Sequence, residues 1–206
     1  MNNAFSNFVR LAFGDDHDTL AQLQLVAGRL LSAQPNAAEQ IYLHTGTSDD
    51  GRWVFFEALG HIFASLRATE TGPGGDFGGT FNYGCVGKRH ASYDEPSAHQ
   101  SPDALTFLRM VLIVWNESAE CRVVDKITDS WLKTVTGMFG QTHITCADGM
   151  PSGLSEAAQR RVKQIHWKHS LPANMRDAYS ARMLRNDHDF LIWLVDGLRL
   201  SQAQSK

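Results

Sequence analysis

Cysteine is scarce in this sequence: Cys85, Cys121 and Cys146 are the only three, and no two form a CxxC pair. An odd, scattered set excludes a disulfide framework and fits a reducing compartment. Long apolar runs are missing too. The longest uninterrupted one is Met110 to Trp115, whereas a membrane span needs roughly 20 such residues. No membrane partner is therefore expected. The start, MNNAFSNFVRLAFGDDHD, has no cationic stretch leading into an apolar one. No secretory signal is read there, and the cytoplasm is the expected location.

What is present is an ordinary globular composition, 43% hydrophobic and 20% charged over 206 residues. A chain of this size can bury a core without metals or disulfides, and one domain spanning 1–206 is expected. Its net charge of −3 is unevenly spread. Residues 1–150 hold 10 Lys+Arg against 17 Asp+Glu, whereas residues 151–206 hold 9 against 5. A basic carboxyl-terminal surface for an anionic partner follows, although a chance partition gives the same count.

Periodicity favours helices. Leu20, Leu23, Ala27, Leu30 and Leu31 fall on one helical stripe, and AAEQIYLH reads as a shorter helix. Phe55, Ala58, Leu59, Ile62, Phe63 and Leu66 repeat at i, i+3, i+4, i+7, i+8 and i+11, with Ser48, Asp49 and Asp50 as cap candidates. SPDALTFLRMVLIVW, residues 101–115, begins with a capping hydroxyl and a proline and serves as the expected central helix. The stripe continues through Val124, Ile127, Trp131, Leu132, Val135, Met138 and Phe139, and QTHITCADGMPSG reads as a loop. A basic helix is expected over 155–169, another from Pro172, and a last one capped by Asn186 or Asp187. Residues 70–100, rich in glycine, carry no periodicity and form a long loop or a hairpin around GTFNYGCVG. The expected fold class is all-α, a single-domain bundle of seven or eight helices.

The chemistry-bearing residues are scattered. Gly87-Lys88 invites comparison with a phosphate-cradling G-x-x-x-x-G-K-[ST] loop, but Asn82 and Arg89 stand where a glycine and a hydroxyl are required. Cys85 has Lys88, Arg89 and His90 as cationic neighbours that would favour a thiolate. His166 and His169 lie on the inward side of the expected basic helix with Val162 and Ile165. Two imidazoles so placed can share a divalent metal, with His188, Asp189, His143 or Cys146 as further ligands. Histidines at a core edge that bond to carbonyls are the plainer account. Asp187 and Asp189, for their part, suit the start of a helix, and Glu57 with His61 is an ordinary i, i+4 pair.

On the outer side of the same helix stand Arg160, Arg161, Lys163, Trp167 and Lys168, followed by Arg176, Arg182 and Arg185. Cations with an exposed aromatic suit phosphate-backbone contact and base stacking. The leading expectation is a non-enzymatic helical binding module with a nucleic acid or acidic protein as partner and no cofactor. The alternatives are a metal-dependent hydrolase around His166, His169 and His188, or a structural subunit of a homo-oligomer.

Overall fold

Short runs spread over both halves of the chain pair into strands, several of them where helices were expected. The computed structural model describes residues 3–32, 41–47, 49–63, 67–71, 81–82, 90–94, 121–125, 130–135, 141–146 and 156–204. Eight strands occur among them: β1 (Ile41–Gly46), β2 (Arg67–Thr71), β3 (Phe81–Asn82), β4 (His90–Asp94), β5 (Cys121–Asp125), β6 (Ser130–Val135), β7 (Gln141–Cys146) and β8 (Val162–Trp167). The helices are α1 (Ala4–Ala12), α2 (His17–Arg29), α3 (Arg52–Phe63), α4 (Glu156–Arg161), α5 (Ala178–Arg185) and α6 (His188–Gln204). The fold is thus mixed α/β, and the all-α bundle is wrong. The helix expected over 101–115 and most of the 70–100 loop lie outside the described residues.

The error has a physical source. Runs of five or six apolar residues suit a buried strand as well as a helical turn, and periodicity alone does not separate them. The 155–169 segment shows it best. Val162 and Ile165 imitate an i, i+3 pair, yet Ile165 and Trp167 are buried with exposed His166 between them, which is strand alternation. AAEQIYLH ends in β1, the stripe through Val124 and Trp131 falls on β5 and β6, and the presumed loop QTHITC is β7.

The chain divides into two compact units. The second comprises Gln34–Leu43 and Ser65–Gln164. In it β2, β4, β7 and the first three residues of β1 are neighbours in that order. β2 runs parallel to β4, with Arg67 opposite His90, and β4 parallel to β7, with His90 opposite Gln141. A separate sheet joins β3 in parallel and β6 in antiparallel fashion to β5, with a bulge between Val123 and Val124. His143 of β7 is buried and stacked on Tyr42 of β1 at 5.3 Å. Burial pushes that imidazole down to about 3, so it is neutral near pH 7.

The first unit comprises Met1–Ala33, His44–Ala64 and Ile165–Lys206. It holds α1, α2, α3, α5, α6 and the ends of β1 and β8, which are neighbours in the sheet. Its centre is aromatic. Trp167 lies 4.8 Å from Phe13 and 5.7 Å from Phe55 between ring centroids, and Phe55 lies 6.0 Å from Phe190. Each such ring brings a large apolar area out of water and prefers these tilted or edge contacts. Asn3, Asp16 and Asp177 cap α1, α2 and α5 through their side chains. α2 packs on α6 at Gly28 and Gly197. A Cβ on Gly28 would overlap the Gly197 backbone, and one on Gly197 would overlap the Gln24 carbonyl oxygen. Among the described residues no helix is long and apolar enough to cross a membrane.

Candidate functional site

Among the described residues of the first unit, His44, Thr45, Asp50 and Arg52 are polar groups buried around the turn from β1 into α3. β1 ends at Gly46 with φ +155°, Gly51 has φ +93°, and Arg52 opens α3. Both glycines stand in backbone regions that side chains rarely adopt. Between them the chain reads Gly46-Thr47-Ser48-Asp49-Asp50-Gly51.

Asp50 and Arg52 fill the inside of this turn. Asp50 is 1% exposed and Arg52 8%. The Asp50 carboxylate accepts from the Arg52 backbone N–H and from its Nε, both at 3.0 Å through Oδ1, with Oδ2 2.8 Å from Nε. The guanidinium also donates through Nη1 to the His44 carbonyl at 2.6 Å. Through Nη2 it reaches the carbonyls of Gly46 and Thr47, each at 3.0 Å. One cation thus ties two β1 carbonyls, the Thr47 carbonyl and one carboxylate together. Oδ2 of Asp50 is buried and has no hydrogen-bond donor of good geometry. Burial pushes the Asp50 carboxyl up, and its contacts with Arg52 oppose that shift only in part.

Residues 166–176 hold the turn from outside. Trp167 Nε1 donates to His44 Nδ1 at 3.2 Å, and His166 Nδ1 lies 3.0 Å from Thr45 Oγ1. The Leu171 N–H donates to the Asp49 carbonyl at 2.7 Å. Arg176 pairs with the Asp49 carboxylate at 2.8 Å and donates through Nε to the Leu171 carbonyl at 2.6 Å.

The residues expected to bind a partner do not share one helix. Arg160 and Arg161 end α4 and Lys163 lies in β8, all in the second unit, whereas Trp167, Lys168 and Arg176 belong to the first. Trp167 is 1% exposed, so the indole expected to stack on a base is a core residue. Lys168 is paired with Asp16 at 2.6 Å, and Arg176 clamps the turn. Arg160 and Lys163 are exposed, Arg160 lying 3.5 Å from Glu156.

The expected metal ligands are likewise not gathered. His166 belongs to a strand and His169 follows it, so the shared helical face is lost. His188 is exposed on α6. Asp187 accepts from the Phe5 N–H at 3.0 Å, and Asp189 accepts from Asn3 Nδ2, so this acidic pair ties α1 to the start of α6. Among the described residues no group of three His, Cys, Asp or Glu side chains could hold a metal ion. Cys85, Lys88 and Arg89 lie outside them.

Sequence reasoning missed the β1–α3 turn, although its signal is visible. Gly46 and Gly51 flank four residues, a cation follows, and the segment lies between a strand and a helix. That is the spacing and context of a strand–G-x-x-x-x-G-K-[ST]–helix phosphate loop. It departs from that pattern at two places, with Arg52 for lysine and Trp53 for the hydroxyl.

No protein-family model and no curated protein matches this sequence. Solved structures do resemble its fold. An apo A form of the NrS-1 C-terminal region superposes with a TM-score of 0.71 at 16% identity, covering 96% of this chain and 48% of that one. A second apo structure of the NrS-1 C-terminal region gives 0.72 at 13% identity, covering 100% and 52%. This chain therefore spans about half the length of those structures and shares their fold.

Proposed function

We propose that this chain is a phosphate-loop-type α/β unit that binds the polyphosphate of a nucleotide at Gly46–Arg52 and serves a process acting on nucleic acid. The observation that carries the reading is the turn itself. Two glycines at this spacing let a backbone wrap an anion, the amino end of α3 adds its dipole, and a guanidinium is anchored at the first helical position. Arginine suits phosphate oxygens because its planar fork offers paired donors.

The two departures shape the expected activity. Trp53 has no hydroxyl for a magnesium ion and is half exposed, so the turn is fitted for binding rather than for magnesium-assisted hydrolysis. Hydrogen exchange with and without millimolar tripolyphosphate or ATP tests the reading. Slowed exchange confined to amides 46–55 is expected. Binding that leaves those amides unchanged would remove the turn from the site.

A nucleic acid partner is supported separately by Arg160 and Lys163, exposed cations of the second unit. Each phosphate contact displaces condensed counterions, so Lys163→Glu should lower the salt slope of single-stranded DNA binding by about 1. Affinity that stays flat between low and physiological salt would rule this contact out.

A further inference from the structure

The turn that would receive a phosphate already contains an anion. Asp50 Oδ1 takes the Arg52 backbone N–H at the amino end of α3 and its guanidinium Nε, the two kinds of donor that a phosphate oxygen would use there. Oδ2 is closed off from solvent and lacks a well-aligned donor. The space around it is tight: a Cβ on Gly46 would overlap Oδ2 and stand 2.6 Å from the Trp167 carbonyl oxygen. A phosphate would compete with the carboxylate for those same Arg52 donors. The two must exclude each other.

We propose that Asp50 is a built-in occupant of the phosphate cradle, a carboxylate that keeps the turn shut until a polyphosphate displaces it. The inference rests on reading Gly46–Arg52 as a phosphate loop. A carboxylate is a sound plug because it satisfies Arg52 while the site is empty, so the cation is never buried alone. It is a displaceable one because its second oxygen, although 2.8 Å from the Arg52 guanidinium, accepts no well-aligned hydrogen bond. A ligand with several anionic oxygens can engage both the Arg52 donors and the helix amides, and the Asp49–Arg176 and Asp49–Leu171 contacts would hold the outer part of the turn while Asp50 swings out.

Calorimetric titration of the full chain with ATP, with tripolyphosphate and with adenosine tests this. Asp50→Ala should bind ATP and tripolyphosphate about tenfold or more tightly than the unaltered protein, and adenosine should not compete. Asp50→Asn keeps the shape and one acceptor oxygen for Arg52 but loses the charge, and should fall between them; it also serves if the alanine variant melts early. Equal ATP affinity in the unaltered protein and both variants would overturn the plug while leaving the phosphate loop standing. No binding of either polyphosphate to any of the three would overturn the loop reading, and the plug with it.

Discussion

Two places in the first unit are packed without spare room, and they are held by opposite means. Where α2 crosses α6, Gly28 and Gly197 bring backbone against backbone, and the fit is one of shape. Where β1 turns into α3, a carboxylate and a guanidinium fill the space, and the fit is one of charge. The crossing tolerates no added atom and is indifferent to pH. The turn has a titratable group at its centre and depends on one cation for four of its contacts. Shape holds the first place together, and charge holds the second.

Arg52→Ala should break this contrast most severely. It strands a buried carboxylate and three carbonyls, and about 3–5 kcal/mol of unfolding free energy should be lost. Denaturant titration measures it, and a loss below about 1 kcal/mol would mean the turn is not held by charge. Gly197→Ala should cost about 1–3 kcal/mol, because the new methyl meets the Gln24 carbonyl oxygen and helix propensity offsets only part of the clash. A neutral result would show that the two helices can move apart. Asp16→Ala, which removes the α2 cap and the Lys168 partner, should cost about 1 kcal/mol.

The smallest effect is the most discriminating. Asp50 has a raised carboxyl pKa, so the folded protein takes up its proton at a higher pH than the unfolded chain does. The stability linked to that proton is fully present below the unfolded value and is lost as pH rises through the folded one. The unaltered protein should therefore gain on Asp50→Asn as pH falls from about 7 towards about 4. The Gly197→Ala difference should stay level over the same range. Parallel curves for both variants would erase the distinction between the two places.

Much of the first unit was legible in the residues. Of the stripe from Leu20 to Leu31, the part through Ala27 lies within α2; the repeat that begins at Phe55 lies within α3 as far as Phe63, and Asp187 stands at the start of α6. In those segments the 3.6-residue period coincides with the element formed, whereas the equally long stripe through Val124 and Trp131 meets two strands, β5 and β6. The strands were not legible, because six residues such as IYLHTG or VKQIHW carry too few turns to reject a helix. Lysine after glycine makes Gly87-Lys88 the visible phosphate-loop candidate, whereas arginine in that place hides Gly46–Arg52.

Composition and periodicity by themselves determined that the segments of α2 and α3 coil, that aspartate stands at the starts of α2 and α6, and that basic residues outnumber acidic ones toward the carboxyl terminus. These are properties of neighbours in the chain. Tertiary structure alone decided that Trp167 is core rather than surface, that Arg176 clamps a turn, and that Asp50 and Arg52 face each other inside it. The physical reason is that strand pairing and burial join residues more than a hundred positions apart, such as His44 and Trp167, and no local pattern records which partner a buried polar group will find.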